Sequence, residues 1–481
     1  MKPIIEELSL NKNPFRIYQC FSDESYSFFL DSGMDPGKLG RFSFLGVEPF
    51  LKFVSKGKDI FVDCQGWKKH FSGNPFYVLM SLLDRYRSDF RDEHIPFWSG
   101  AVGYFAYDLK NHIEKLPDTA AEDLNIPDCI LCFYDCVLVF DNSEKKAYLV
   151  SSGFPELGRK RLLRAKARLE NLKDRLSLPA RRDSLFSSGI EPSRALYNNL
   201  QSNFTKSGYI NAVLKAKEYI KRGDIYQVNL SQRFNRDINI EPFRLYSVSR
   251  AINPAPFASY LNFGDIKILS ASPERFIKVT DKNIQTRPIK GTRPRGKNKI
   301  EDALLKNELV RSIKDRAENL MIIDLERNDL GRICEYGSVK VSEFMICEEY
   351  PTVFHLTSTI EGRLRENIQP TDILINCFPG GSITGAPKIR AMEIIEELET
   401  VKRNIYTGSI GYICFNGDMD TSIAIRSFII KDNTAYFSVG GGIVWDSDPE
   451  KEYEETLDKA RALIEAIGQA TGNRQQATVK R

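Results

Sequence analysis

The chain has 481 residues, 42% of them hydrophobic and 27% charged, with 68 basic against 64 acidic side chains and a net charge of +4. That length can bury a substantial core, and the near balance of charge argues against a nucleic-acid binder or a protein held electrostatically to a membrane surface. Nowhere do about 18 apolar residues run together, and acidic residues near the N-terminus break the apolar stretch of a secretory signal, so a cytoplasmic protein is expected. Nine cysteines scattered over the whole length read as free thiols in a reducing compartment.

In chain order, residues 1–170 alternate strand-like runs with turns: Arg41-Phe-Ser-Phe-Leu-Gly-Val, Leu51-Lys-Phe-Val, Asp59-Ile-Phe-Val and Gly100-Ala-Val-Gly-Tyr-Phe-Ala-Tyr. Helical patterns interrupt them near 76–88 and 155–175. Cys129, Cys132 and Cys136 fall in an aromatic, β-branched run without the Gly-rich turns of a metal loop, and read as a buried strand. The polar stretch 171–196 holds turn formers and no sustained period, which marks a linker between this N-terminal region and a catalytic region at 197–468. That region opens with a helix over 207–223, whose Tyr209, Val213, Ala216 and Ile220 share a face, and a strand over 226–234. Strands are predicted at 258–263, 266–271, 284–288, 408–415, 423–430 and 435–440, helices at about 299–323, 387–398 and 449–467, and a flexible tail at 469–481. Strands in sequential runs separated by grouped helices predict an α+β fold with a largely antiparallel sheet.

Chemistry concentrates in a few places. On the helix predicted from Pro449, Tyr453, Leu457, Ala460 and Ile464 form an apolar stripe, while Glu452, Glu455 and Lys459 form a polar one. Asp315 and Glu318 repeat the i, i+3 acidic spacing on another helix. Such residues ordinarily line a solvated face, but four carboxylates brought face to face would repel unless a hard cation such as Mg²⁺ joined them. Lys290 lies between Pro and Gly at a strand end entering a turn, where a side chain can be fixed in a cleft. The loop Phe378-Pro-Gly-Gly-Ser-Ile-Thr-Gly-Ala-Pro-Lys opens a helix and can cradle an anion, and Gly440-Gly-Gly offers a similar close backbone approach. His355 is one of four histidines, and a lone histidine is more often structural.

Taken together, these segments resemble the chorismate-utilising enzymes, which include anthranilate synthase component I, aminodeoxychorismate synthase component I and the isochorismate and salicylate synthases. The resemblance is carried by Gly223-Asp-Ile-Tyr-Gln-Val-Asn-Leu, Ser272-Pro-Glu-Arg-Phe, Pro288-Ile-Lys-Gly-Thr-Arg-Pro, Lys314-Asp-Arg-Ala-Glu-Asn-Leu, His355-Leu-Thr-Ser-Thr-Ile-Glu-Gly, the loop at 380–388 and Glu452-Tyr-Glu-Glu-Thr. It implies a large antiparallel β-sandwich flanked by helices. It also implies Mg²⁺ held by Glu318 and Glu455 with Asp315 and Glu452 in support, and Lys290, Glu274 and His355 as catalytic groups. Tyr406, Arg426 and the backbone at Gly440 and Gly442 would hold one substrate carboxylate, with Thr292 and Lys459 on the other. Lysine in Pro-Ile-Lys-Gly-Thr resembles the aminodeoxychorismate branch, where anthranilate synthases have alanine. Gln227 stands where isochorismate and salicylate synthases use a lysine base. Ammonia would come from a glutamine amidotransferase subunit. Asp31, Ser32, Asn253, Pro254 and Phe257 resemble a tryptophan pocket. The alternatives are anthranilate synthase component I and a non-enzymatic chorismate or tryptophan sensor; intact Glu274, Lys290, Glu318 and Glu455 speak against the sensor.

Overall fold

The computed structural model describes residues 2–9, 13–35, 37–177 and 200–478. Two 12-stranded sheets, antiparallel throughout their ladders, dominate it. The first runs Ile4–Leu8, Lys146–Ser151, Cys136–Asp141, Phe42–Gly46, Ser27–Asp31, Phe257–Asn262, Lys267–Ser272, Ser427–Lys431, Thr434–Ile443, Gln227–Asp237 and Gln201–Ser202, with Gly385–Ala386 beside 227–237. The second runs Ile289–Pro294, Val353–Arg363, Asn283–Arg287, Arg275–Thr280, Met419–Ile423, Ser409–Cys414, Gly100–Phe105, Cys129–Tyr134, Leu51–Lys56, Asp59–Cys64 and Trp67–Ser72, with Lys340–Glu349 beside 353–363. Residues from 1–170 and from 197–468 thus contribute strands to both sheets. This is the α+β, helix-flanked sandwich that the resemblance implies.

Aromatic rings join the sheets face to face. Phe28 of the first meets Tyr134 of the second at 4.6 Å between centroids, and Phe44 meets Tyr412 at 5.3 Å. Such offset and edge contacts add about 0.5–1.5 kcal/mol each beyond the area they bury. The other face of the first sheet is covered by helices. Phe234 and Phe437 pack under the C-terminal helix Pro449–Thr478, whose Ala460, Leu463 and Ile464 are buried. The helix Lys206–Lys221 buries Tyr209, Val213 and Ala216, as their shared face predicts.

Four predicted segments differ from expectation, the first two for a local reason. The helix predicted over 299–323 is two, Lys299–Arg311 and Ile313–Gly331, because Ser312 leaves helical geometry at ψ 111° and caps the second through the Asp315 N–H. The strand predicted over 423–430 is broken at 424–426, where Arg426 has φ +51° and the chain passes from one sheet to the other. A helix Gly158–Ser177 enters the stretch 171–196, of which 178–196 lies outside the described residues; the C-terminal helix likewise continues through 469–478. Among the described residues no helix is long and apolar enough to cross a membrane.

A buried ion pair clamps early chain to late. Lys110, wholly buried, donates to Glu396 Oε2 at 3.0 Å, while the backbone N–H groups of Thr119 and Ala120 donate to Oε1 at 3.1 and 3.0 Å. Truncating one member of such a pair strands the other charge. Glu396→Ala is expected to destabilise the protein by about 3–5 kcal/mol, read as a lower denaturant midpoint; an unchanged midpoint would refute the clamp.

Candidate active site

Two chain crossings between the sheets set the site. Strand Lys267–Ser272 belongs to the first sheet and Arg275–Thr280 to the second, and Glu274 sits in the step between them. Arg426 occupies the neighbouring step. The Ile423 N–H donates to the Glu274 carbonyl at 3.0 Å and the Ala271 N–H to the Arg426 carbonyl at 3.1 Å, so the crossings are laced together. The Glu274 side chain is buried, with Ser382 Oγ donating to its Oε1 at 2.5 Å and the Ile289 N–H at 3.5 Å. Burial pushes its pKa up to about 7, against the downward pull of Ser382, Lys290 and Arg426. Behind it lies Glu326, which accepts from Thr286 at 2.6 Å and is pushed by burial to about 8.

Lys290 reaches the same space from a bulge. The ladder between Ile289–Pro294 and Val353–Arg363 slips between Ile289 and Thr292, which re-aims the intervening residues. Gly291, at φ +91°, permits the slip: a Cβ there would stand 2.9 Å from Leu309 Cδ1 and 3.1 Å from Asp315 Cβ. Half-buried Lys290 has its pKa lowered by burial, against the opposing charges of Glu318, Glu274 and Glu455. Burial raises Glu318, helped by Asp315 and Glu455 and opposed by Lys290 and Lys314. The residues at 274, 290, 318 and 455 therefore share one electrostatic neighbourhood although four separate elements carry them.

The far wall is the glycine strand and the C-terminal helix. A Cβ at Gly441 would stand 3.4 Å from both Glu452 Oε2 and Glu455 Oε1 and 3.6 Å from Lys459 Nζ, ordinary contact distances that put this strand directly against the polar stripe of the helix. Lys459 donates to the Gly440 carbonyl at 2.8 Å and pairs with Glu455 at 2.7 Å. Lys459 is the main cause lowering the pKa of Glu455, whereas burial raises that of Glu452. Half of the Glu455 side chain, 51%, remains exposed, so the cleft is open to water.

The donor set fits a hard divalent cation in its chemistry: four carboxylates on two helices, with Lys290, Lys314 and Lys459 as counter-charges. Among the described residues no three acidic, histidine or cysteine side chains already stand together at ligating distance. Asp315 accepts from Arg293 Nη2 at 3.0 Å, which occupies one of its oxygens.

The remaining expected residues fall at the rim or beneath it. Thr292 Oγ1 meets His355 Nδ1 at 2.9 Å, and burial lowers the buried imidazole to about 3, which leaves it neutral. Tyr406 is buried beside Arg403, its ring 5.9 Å from the guanidinium, and burial raises its phenol. Arg426 donates to Asn253 Oδ1 at 3.2 Å, and burial lowers its pKa. Gln227 is buried against Gly442 with Oε1 unpartnered. Asp31 and Ser32 do adjoin Asn253, Pro254 and Phe257, since Asp31 pairs with Ala258 across the sheet. Yet Arg250 and Tyr246 already hold the Asp31 carboxylate, Tyr246 at 3.1 Å.

Several neighbours were not singled out from sequence. Ser382 lies in the Gly-rich loop, whose seating on Glu274 no local pattern announces. Lys388, at that loop's end, binds Asp329 and the carbonyls of Cys377 and Pro379 at 3.0 and 2.9 Å. Lys314 was detectable, since it stands i, i+4 from Glu318 at 3.9 Å. The buried pair Arg403–Glu399 braces the floor, with Arg403 donating to the Asn229 and Ile383 carbonyls and Glu399 accepting from Ser231 N–H and Oγ.

The family described as chorismate binding enzyme matches residues 27–465. Anthranilate synthase component 1 of Acetivibrio thermocellus is 40% identical over 463 residues, covering 95% of this chain and 93% of that one. Aminodeoxychorismate synthase component 1 of Escherichia coli is also 40% identical, over 447 residues, 92% of this chain and 93% of that one. The crystal structure of anthranilate synthase component I from Streptococcus pneumoniae superposes with a TM-score of 0.78 at 32% identity, over 88% of this chain and 92% of that one. Two names occur at equal similarity, so likeness alone leaves the particular reaction open. With its carboxyl, lysine and acidic wall gathered at the seam of the sheets, the chain belongs to the chorismate binding enzymes and is a chorismate-utilising enzyme.

Proposed function

We propose that this chain aminates chorismate at ring carbon C4, as component I of an aminodeoxychorismate synthase that supplies p-aminobenzoate. The observation that carries this reading is Lys290, a half-buried amine electrostatically coupled to Glu274 and Glu318, in a motif where the resemblance gives anthranilate synthases an alanine. Gln227 is a neutral amide that cannot take a proton, which argues against water as the nucleophile. The 40% identity to an aminodeoxychorismate synthase component supports the reading, and equal identity to an anthranilate synthase makes that enzyme the runner-up.

In this reading Lys290 adds to C2 of the ring while Glu274 gives its proton to the departing C4 hydroxyl, which leaves as water. Ammonia then bonds to C4, the lysine amine is expelled from C2, and Glu274 takes up the proton that ammonia sheds. A carboxyl with a pKa near 7 can do both. Burial lowers the lysine toward its reactive neutral form, whereas Glu318 and Glu455 oppose this as long as their charge is uncompensated. Mg²⁺ held by Glu318 and Glu455, with Glu452 and Asp315 behind, would supply that compensation and bind the ring carboxylate as a Lewis acid. Arg426, Tyr406 and the 440–442 backbone would orient the enolpyruvyl carboxylate, and Thr292 and Lys459 the ring carboxylate. The ammonia would be supplied by a glutamine amidotransferase subunit. Asp31, Ser32, Asn253, Pro254 and Phe257 would form a tryptophan pocket beside the Arg250–Asp31 pair.

Incubation with chorismate, Mg²⁺ and ammonium is expected to give a product that becomes p-aminobenzoate only after a lyase is added. Direct appearance of fluorescent anthranilate with pyruvate would favour the runner-up. Lys290→Ala should lower amination at least 100-fold, the scale of losing a principal catalytic group; full activity in that variant would remove the covalent role.

Glu274 gives a prediction with a definite sign. Its folded pKa, about 7, lies above its ordinary value near 4.5, so the native state keeps a proton that the unfolded state releases. Stability therefore falls as pH rises from 4.5 through 7, and the whole penalty is present above 7. Glu274→Gln, inactive, should be more stable than the parent by about 3 kcal/mol at pH 8 and show little difference at pH 4, measured by denaturant unfolding. An equal offset at both pH values would contradict burial as the cause.

A further inference from the structure

Further along from Glu318, the helix Ile313–Gly331 carries a second pair of carboxyls, Glu326 and Asp329, both buried. One lysine faces them, Lys388, and its three N–H donors are already taken by Asp329 and by the carbonyls of Cys377 and Pro379 at 3.0 and 2.9 Å. Glu326 is left with the Thr286 hydroxyl, which donates to its Oε2 at 2.6 Å. The other titratable groups around it are Glu274 at the sheet crossing, Asp329 on its own helix and the buried Cys377 thiol at the end of the helix Pro370–Cys377, and none brings a positive charge. An anion at Glu326 would be buried without a counter-ion of its own, so the carboxyl keeps its proton; burial accordingly pushes its pKa up to about 8.

Two pieces of the Glu274 environment rest on this group. The strand Asn283–Arg287, which carries Thr286, runs on into Ile289, whose N–H donates to Glu274 Oε1 at 3.5 Å, and into Lys290. The turn Gly381–Ile383 packs on the same helix: a Cβ added at Gly381 would stand 2.9 Å from Leu325 Cδ2 and 3.4 Å from Glu326 Cγ. The next residue in that turn, Ser382, donates to Glu274 Oε1 at 2.5 Å. We propose that Glu326 is a positioning residue for Glu274: as a neutral acid it seats the Thr286 strand and the Ser382 turn around the catalytic carboxyl. The role given to Glu274 rests on the amination reading above. An ionised Glu326 would set a second negative charge near Glu274, the group whose proton the reaction spends. Rising pH therefore removes activity in two steps, first at Glu274 and then at Glu326.

The test follows consumption of chorismate by the full chain with Mg²⁺ at constant free ammonia, a readout that holds for either amination product, and compares the parent with Glu326→Gln and Glu326→Leu. At pH 6.5 Glu326→Leu, which loses the Thr286 bond, is expected to fall at least tenfold in kcat with KM within about threefold, while the uncharged amide of Glu326→Gln restores kcat to at least about a third of the parent. The ratio of Glu326→Gln to parent rates should be flat below pH 7 and rise about tenfold per pH unit above 8, because the other titrating groups cancel in it. A ratio that stays flat to pH 9.5, or a Glu326→Gln as impaired as Glu326→Leu at pH 6.5, would overturn the proposal. Should Glu326→Leu fail to fold, the ratio decides alone. A parent that consumes no chorismate would remove the amination reading, and the neutral carboxyl is then judged by unfolding. Its folded pKa lies above the ordinary value near 4.5, so the parent loses stability as pH rises from 4.5 through 8 and Glu326→Gln does not. Denaturant midpoints that agree at pH 4.5 and favour Glu326→Gln at pH 9 uphold the neutral acid; midpoints that agree at both overturn it.

Discussion

The structure depends on placing an ionisable carboxyl where the chain passes between two sheets. Burying a carboxylate without partners costs several kcal/mol, and a group so placed keeps its proton instead. At Glu274 the cost is offset by a hydroxyl from Ser382, a backbone N–H from Ile289 and the nearby positive charges of Lys290 and Arg426. Three separate parts of the chain supply them: the loop with Ser382, the strand with Ile289 and Lys290, and the crossing with Arg426. The crossings supply what a continuous strand could not: side chains aimed along the seam, where burial raises the pKa of Glu274 against these partners.

The second constraint is repulsion. Asp315, Glu318, Glu452 and Glu455 stand on two helices that meet across the cleft, and Lys290, Lys314 and Lys459 lie among them. The carboxylates do not titrate alike. Glu318 and Glu452 are raised by burial, whereas Glu455, at the open side, is lowered by Lys459. The four carboxylates are balanced by these lysines and by Arg293, which pairs with Asp315 at 3.0 Å, so each positive charge near the cleft bears on how its acidic neighbours titrate. Releasing Lys290 from its acidic neighbours would lower its pKa further, in the direction a nucleophilic amine requires.

Much of this was legible wherever a period runs unbroken. The C-terminal helix announces itself by Pro449 and two parallel stripes, and its apolar stripe is the one buried in part at Ala460 and Ile464. Lys290 was legible as a residue held between Pro and Gly, though the feature that aims it is a register slip, which one strand's sequence cannot reveal. Arg426 was assigned to the middle of a strand because Ile-Ala-Ile-Arg-Ser-Phe-Ile-Ile alternates well on either side of the break. Only the partner strands, one in each sheet, show that the alternation belongs to two ladders. Ser382 stayed hidden for a related reason: its partner is 108 residues away in sequence.

The helix 313–331 shows how a missing signal can itself carry information. Its apolar residues form no single stripe, because Ile313, Ala317 and Leu320 face outward while Ile322, Ile323 and Leu330 face the core. Read as one amphipathic element, that pattern blurs. Read as three faces, it separates into a side that anchors the helix, a side that carries carboxylates into the cleft and a side that the isolated chain leaves in water.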